Sequence, residues 1–426
     1  MYSVIKFKEV HIMGDYTDRK QQELYEGKWS VYDTSDDDYT EMVEYLNSSD
    51  FRTFGEGLTF LISKRINDDE LPLNCLKRCF NEKDIDFEEL GSKNTPGNWL
   101  NKGERPPKGE ASRRKMFVLA FALGLNADET AYLFQRVFLD RAFNPRNYKE
   151  LIYYYCIENG FSLSKAEEMI SQVVIDKTES KDETIYTKML ASIINDTKND
   201  VEIIEYINSY PHNFSINNVA AKSKVEEYIL KAKRAVWNEI VIKYEFVSGE
   251  IFEVKEKKQI SYDDYISMNL DRDKLIIPYH YIDAVENNDL TSINFIYKII
   301  TELHLENGKG TGASPFKNAN LPKEISSSFP TPHIFSKIKK EPTYDELRKM
   351  LILLFSYCHW REGIIPNKQD RIDYFVVQIN DVLTDANLPE LYPGNPFDWL
   401  FYFCAMSDSP LDTLRAILFE VTQGEE

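Results

Sequence analysis

The sequence predicts a mainly α-helical protein in which a helical module occurs twice. Through most of the 426 residues, apolar side chains recur at the spacing of one helix face. Capping residues such as Asn126 and Ser162 precede several of these stretches, and Gly160 ends one of them. A set of short motifs found between residues 95 and 163 returns in the same order between 331 and 411. We therefore expect duplicated helical modules joined by a helical, partly β middle domain.

The composition bears on three questions: binding to nucleic acid, contact with a membrane, and the presence of a metal or cofactor. The formal net charge of −19 argues against non-specific coating of nucleic acid, although a local basic surface is compatible with it. No run of about 18 apolar residues and no signal peptide is present, so we expect a cytoplasmic protein without membrane contact. Cys75 and Cys79 stand four residues apart with no histidine nearby, which favours a buried, reduced pair over a metal site. No cofactor is expected.

The first half of the chain divides into two parts. Residues 1–50 are expected to form an N-terminal segment, which begins with an alternating stretch typical of an edge strand and contains an acidic loop, Asp36 to Asp38. Residues 51–175 form the first module. Its helices are expected over 51–65, 71–80, 95–102, a stretch from about 116 to 125, 129–139, 151–157 and 162–174.

The second half repeats this organisation after a middle domain. Residues 176–290 are assigned to that domain, with a linker at 178–184, helices over 185–194, 200–208 and 219–243, and a β-hairpin over 246–252. Residues 291–426 form the second module, which opens with a helix over 292–304. The glycines from Gly308 to Gly312 follow a helix rather than a strand, so they indicate a helix end and not a phosphate-binding loop.

A cluster of positive charge stands out on this acidic chain. Between residues 92 and 115, seven lysines and arginines face only two glutamates, Glu104 and Glu110, a net charge of +5. Such a cluster is where a polyanion would bind, if one binds at all. The Arg113–Arg114–Lys115 run could clamp phosphates, or it could simply be the exposed start of a helix.

The same region resembles the helix-turn-helix domain of the Cro/lambda-repressor type. The matching residues are Trp99 to Gly103, Arg105-Pro106, Leu119-Ala120 and Leu123 to Leu125. Two features depart from the family pattern, namely Gly97 early in the third helix and a long connection between Glu82 and Lys93. The resemblance implies that helix 95–102 enters the major groove of double-stranded DNA and that the protein binds as a symmetric homodimer. The residues then expected at DNA are Lys93, Thr95, Asn98, Asn101, Lys102, Arg105, Lys108, Arg113 and Arg114.

The second module repeats several motifs of the first. Paired in order, they are Thr95-Pro96 with Thr331-Pro332, Pro106 with Pro342, Arg114 to Met116 with Arg348 to Met350, Asn144-Pro145 with Asn395-Pro396, Tyr154 to Cys156 with Tyr402 to Cys404, and Leu163 with Leu411. Its basic stretch holds lysines but no arginine. Lysine binds phosphate as a point charge, so Lys337, Lys339 and Lys340 would grip the DNA backbone, unless this copy has become structural.

These observations favour a sequence-specific DNA-binding transcriptional regulator of prokaryotic or mobile-element type. The alternative is a non-catalytic scaffold that binds a protein partner, for example in an anti-phage or toxin-control system. An enzyme is not expected, because the sequence lacks a nucleophile–base spacing, a phosphate-binding loop and paired metal carboxylates.

Overall fold

The computed structural model describes residues 15–27, 29, 39–174, 199–214, 218–248, 300–301, 321–326, 329–331, 334–335, 338, 342–362 and 370–423. Within these ranges every regular element is helical, which confirms a mainly α-helical protein. Among the described helices, none combines the length and apolar character needed to cross a bilayer.

Several sequence predictions lie outside the described residues. They are the edge strand near residues 2–7, the acidic loop at 36–38, the linker at 178–184, the helix at 185–194, the glycine-rich loop at 308–312, and all but two residues of the helix at 292–304. Lys337, Lys339 and Lys340 also lie there. The hairpin expected over 246–252 is wrong for its first three residues, which continue a long helix.

The described residues divide between two compact units. The limits of the first are Met1–Gln21, Ser49–Asn218 and Tyr392–Asn395, and those of the second are Gln22–Ser48, Val219–Leu391 and Pro396–Glu426. The four-part division expected from the sequence stays a prediction.

In chain order the helices are α1 Asp15–Tyr25, α2 Thr40–Asn47, α3 Phe54–Ser63, α4 Pro72–Glu82, α5 Thr95–Lys102, α6 Glu110–Leu123, α7 Ala127–Tyr132, α8 Tyr148–Glu158, α9 Leu163–Ser171, α10 Asp200–Ser209, α11 Val219–Ser248, α12 Lys323–Ser326, α13 Tyr344–Glu362, α14 Arg371–Asp385, α15 Pro396–Met406 and α16 Pro410–Gln423.

The core of the first unit is built around α6. Residues Met116 to Leu123 of this helix are all buried, because α4 and α8 pack against it. Next to it, α3 begins with a capping box in which Thr53 and Glu56 satisfy each other's backbone N–H groups, at 2.7 and 3.2 Å. After α7 the chain continues as a π-helical turn, Leu133–Val137, which packs on α3.

The contact between α3 and α5 depends on a glycine. Gly55 faces the last turn of α5, where a Cβ at this position would lie 2.4 Å from the Trp99 carbonyl oxygen and 2.7 Å from that of Leu100. The ring of Phe54 packs edge-on against Trp99, with centroids 5.5 Å apart. Because only glycine leaves this space, the two helices approach closely and the position of α5 is fixed by α3.

Replacement of Gly55 by alanine should therefore push α5 away from α3. We expect Gly55→Ala to lower the free energy of unfolding by about 1–3 kcal/mol, as overpacking of a core contact does. Gly97→Ala is the matched control, because the nearest atom to a Cβ there is the Asn101 amide nitrogen at 4.0 Å. That control should be neutral or stabilise by about 0.5–1 kcal/mol. Urea denaturation measures both, and equal losses in the two variants would contradict this account of the contact.

The second unit has a more aromatic core. All residues of α15 are buried, and its Trp399 lies 5.3 Å from Trp29 and 5.5 Å from Phe403, measured between ring centroids. The long helices α11 and α13 pack side by side, and Tyr228 contacts Phe355 between them. Helices α14 and α16 flank α15. This burial accounts for the run of aromatic residues at 397–403, which a stacking surface for nucleic acid would leave exposed.

Candidate nucleic-acid interface

Helix α5 has one buried face and one polar face. Pro96 and Trp99 are buried against α3 and α4, whereas Asn101 and Lys102 are exposed and Asn98 is half-buried. The helix ends at Gly103, whose φ of 64° is the left-handed conformation that glycine adopts without strain. The sequence periodicity places the apolar residues on the inner side, so the outer side carries only amide, hydroxyl and ammonium groups.

The residues before α5 extend this polar face. Lys93 is exposed, and the hydroxyl groups of Ser92 and Thr95 lie 3.0 Å apart at the start of the helix. No acidic residue occurs between Ser92 and Gly103. We call the side chains of Lys93, Thr95, Asn98, Asn101 and Lys102 the α5 polar face. Among the residues that the structure describes, none forms an ion pair with Lys93 or Lys102 or accepts a hydrogen bond from them through a carbonyl, so these two lysines are accessible to a ligand.

The structure corrects the assignment of Arg113. Its side chain is buried, and the guanidinium lies 3.0 Å from Asp140 and 2.7 Å from Glu150. It also donates a hydrogen bond of 2.9 Å to the Arg141 carbonyl. A guanidinium with all these partners in the protein interior is not available to a phosphate, so Arg113 stabilises the fold instead of contacting DNA.

Arg105 and Lys108 are corrected for a related reason. Arg105 donates to the carbonyl of Val137, and Lys108 donates to the carbonyls of Phe138 and Leu139. These carbonyls lie at the end of the π-helical turn and just after it, where Leu139 adopts a left-handed φ of 57°. Cations at the carboxyl end of a helix stabilise its exposed carbonyls and its dipole.

Arg114 forms ion pairs on the protein surface rather than in the core. It bridges Glu89 at 2.6 Å and Glu167 at 3.0 Å, and Tyr153 also donates a hydrogen bond to Glu167. Its charge is therefore largely matched by two carboxylates. Together with Arg105, Lys108 and Arg113, this accounts for most of the positive cluster that the sequence shows.

The second unit contains an arginine whose partners are similar to those of Arg113, although the Arg-Lys-Met motif pairs it with Arg114. Arg348 forms two hydrogen bonds with Asp398, at 2.7 and 2.8 Å, and donates to the carbonyls of Pro389 and Glu390 at 3.0 and 2.8 Å. Asp398 is completely buried. Desolvation opposes the charge of Arg348, but Asp398 outweighs it and raises the pKa of the guanidinium above its usual value. Arg348 therefore stabilises the fold, as Arg113 does.

Sequence reasoning missed these arginine–carboxylate pairs, although one signal for them exists. Glu150 and Asp398 each stand six residues before a cysteine, Cys156 and Cys404, on the first turn of an aromatic helix. An acid in that position of a buried helix requires a cation.

The described residues contain no group of three side chains suited to a metal ion. Cys75 and Cys79 are both free and buried, and the Cys75 thiol donates to the Arg65 carbonyl at 3.3 Å. Burial, together with the neighbouring Cys79, raises the pKa of Cys75 to about 12. The thiol is therefore neutral at pH 7, which suits a packing role.

The chain was compared with protein-family models, with curated proteins and with solved structures, and none of them matches it.

Proposed function

We propose that this protein is a sequence-specific regulator of transcription, of prokaryotic or mobile-element type, that binds double-stranded DNA through the α5 polar face. The observation that carries the proposal is a short helix docked by its apolar side on α3 and α4, with an outer surface of amide, hydroxyl and ammonium groups. A helix held in this way fits the major groove, and the resemblance to Cro/lambda-type domains supports the same use of α5.

The α5 polar face divides into base-reading and backbone-binding groups. Asparagine amides pair bidentately with adenine, so Asn98 and Asn101 are the candidates for base readout. Lys93 and Lys102 lie at the two ends of the helix, where they would reach phosphates or a guanine edge. Two phosphate contacts for each chain give a slope of about −2 in log affinity against log salt, and a symmetric dimer gives about −4.

The second unit is proposed to carry a degenerate copy of the same module. Arg348 bonds the carbonyls eight and nine residues before Asp398, as Arg113 bonds those of Arg141 and Ala142 before Glu150. The two helices that carry these acids, α8 and α15, both have 11 residues. Before each of them one residue adopts a left-handed conformation, Leu139 in the first unit and Asn387 in the second.

These left-handed residues share a further contact. The carbonyl of Leu139 accepts a hydrogen bond from Lys108, which precedes α6, and that of Asn387 accepts one from Tyr344, the first residue of α13. The arginine-bound carbonyls and the left-handed residues stand at the same distances before Glu150 and Asp398, and this agreement supports an internal duplication. We infer that the second copy retains the structural core of the module.

A charge reversal on α5 tests the proposed DNA contact. Because the target sequence is unknown, duplexes are first selected from a random double-stranded DNA library by the full-length protein. We expect Lys102→Glu to weaken binding of a selected duplex by at least about tenfold and to reduce the salt slope by roughly one unit. Asn101→Ala should cost about 1–3 kcal/mol of binding free energy and relax preference at one base pair.

Lys149→Glu is the matched control. Lys149 is an exposed lysine on α8, so this variant makes the same change of net charge away from α5. Fluorescence anisotropy at several salt concentrations measures all three variants. If Lys102→Glu and Lys149→Glu weaken binding equally, the effect is one of net charge and the α5 polar face is not the contact.

A non-catalytic protein-interaction scaffold is the second candidate. It is favoured by the internal use of Arg105, Lys108, Arg113 and Arg114, which leaves few cations for a polyanion. Failure of the selection to enrich any duplex, at low salt and with correctly folded protein, would favour this candidate over the regulator.

A further inference from the structure

The first unit contains an open groove of about 350 Å³, away from the α5 polar face. It lies between the end of α6, the segment after α4, and the turn that joins α8 to α9. Its apolar wall is formed by Ile85, Phe121, Leu125, Ile157, Phe161 and Leu163. The volume is at the lower end of the range of small-molecule sites in proteins, about 300–1,000 Å³.

Two glycines leave this space open. Gly124 and Gly160 end α6 and α8 with φ angles of 57° and 68°, and both line the groove. The backbone N–H groups here bond back into their helices, Leu125 to Ala120 at 2.9 Å and Phe161 to Cys156 at 2.8 Å. These are the bonds of a Schellman helix end. These backbone N–H groups are therefore satisfied without a ligand.

The groove combines an exposed aromatic ring with one positive charge. Phe161 is 41% exposed, a large fraction for a phenylalanine that lines a concavity. Lys83 crosses the opposite side, and a Cβ on Gly124 would lie 4.0 Å from its ammonium nitrogen. Within the part of the chain that the structure describes, no carboxylate forms an ion pair with Lys83. An apolar wall beside one unmatched cation is complementary to an apolar molecule with one negative charge.

We propose that this groove binds a small hydrophobic carboxylate, an acid with an aromatic or branched apolar body. The body packs on Phe161, Leu163 and Phe121, and the carboxylate pairs with the Lys83 ammonium. A ligand of about 12 heavy atoms with ordinary efficiency would bind with a dissociation constant of roughly 2 mM. The groove uses no residue of the α5 polar face.

The probe pair 4-phenylbutyrate and 4-phenylbutyramide tests the inference with the full-length chain. The two molecules share the same apolar body and differ in charge. Saturation-transfer NMR titrations should show the acid binding about fivefold more tightly than the amide, the effect of one partly exposed ion pair. Lys83→Met should abolish this preference and leave amide binding unchanged, whereas Phe161→Ser should weaken both probes.

Lys77→Met is the matched control, because Lys77 is an exposed lysine on α4 that does not line the groove. It should bind both probes as the unmodified protein does. Absence of binding of either probe at 10 mM would overturn the proposal. Retention of the acid preference in Lys83→Met would overturn it as well, and circular dichroism of each variant shows whether it is folded.

Discussion

Replacement of Arg113 by methionine is expected to lower the free energy of unfolding by about 3–5 kcal/mol, because it leaves buried carboxylates without their cation. The guanidinium lies 3.0 Å from Asp140 and 2.7 Å from Glu150, and all three side chains are almost completely buried. Methionine retains most of the packing volume, so the loss reports the missing charge. Urea denaturation followed by circular dichroism measures it.

The same variant should change how stability depends on pH. Burial alone would raise the pKa of Asp140, but the charges of Arg113, Lys108 and Arg141 outweigh it and hold the pKa below its usual value. In the unmodified protein this carboxylate therefore stabilises the fold above its unfolded pKa of about 3.9, and that contribution is lost as the pH falls through the lower, folded pKa. Without Arg113 the folded pKa should rise, so the variant should lose less stability at pH 5 than at pH 7.

Arg114→Gln provides the control for this prediction. Its guanidinium is 40% exposed and its two carboxylates are similarly exposed, so the loss should stay below about 1 kcal/mol. If Arg113 instead contacted phosphate, as the sequence alone suggests, Arg113→Met would weaken DNA binding and leave the unfolding free energy nearly unchanged. That outcome would contradict the structural role derived from its burial.

Local sequence signals located the helices well. The prediction of a helix over 95–102 coincides with α5, because Pro96 starts the helix, Gly103 stops it, and Trp99 marks its apolar side. Helices predicted over 51–65, 71–80 and 200–208 differ from α3, α4 and α10 by a few residues at their ends. Periodicity and capping residues act over one or two turns, so a single sequence contains enough information for them.

The partners of the cations depend on distant parts of the chain and could not be predicted in this way. Arg105 and Lys108 donate to carbonyls about 30 residues further along, and Arg113 pairs with Glu150, 37 residues away. A count of charges within one stretch of sequence takes no account of backbone carbonyls, and it does not include the carboxylates that a distant helix brings close. The count therefore predicted a polyanion site where the fold uses three of the seven cations, Arg105, Lys108 and Arg113, as internal donors.

The register of the proposed duplication shows a similar limit. Pairing Asn144 with Asn395 matches two turn sequences, but Glu150 and Asp398, which bind equivalent arginines, then fall three residues out of step. Pairing Cys156 with Cys404 keeps them in step. Asn-Pro can recur by chance, because many turns favour it. A buried acid on an aromatic helix is a rarer feature, because it needs a buried cation as its partner. Buried charge is thus the better marker for aligning the two modules.

Arg348→Met is expected to cost about 3–5 kcal/mol of unfolding free energy, as Arg113→Met does, because Asp398 is fully buried and accepts two hydrogen bonds from Arg348. The double variant Arg348→Met/Asp398→Leu should recover most of the loss, since an apolar pair of similar volume needs no desolvated charge. A double-mutant cycle gives the coupling energy.

The corresponding double variant in the first unit, Arg113→Met/Glu150→Leu, should recover less. There a second carboxylate, Asp140, follows the left-handed Leu139 and remains buried without its nearest cation, whereas Leu388 follows the left-handed Asn387 in the second unit. Equal recovery in both units would mean that Lys108 and Arg141 are enough to balance the charge of Asp140. Unequal recovery would mean that both units use a buried arginine–carboxylate pair but differ in a second buried carboxylate, which agrees with the proposed internal duplication followed by divergence.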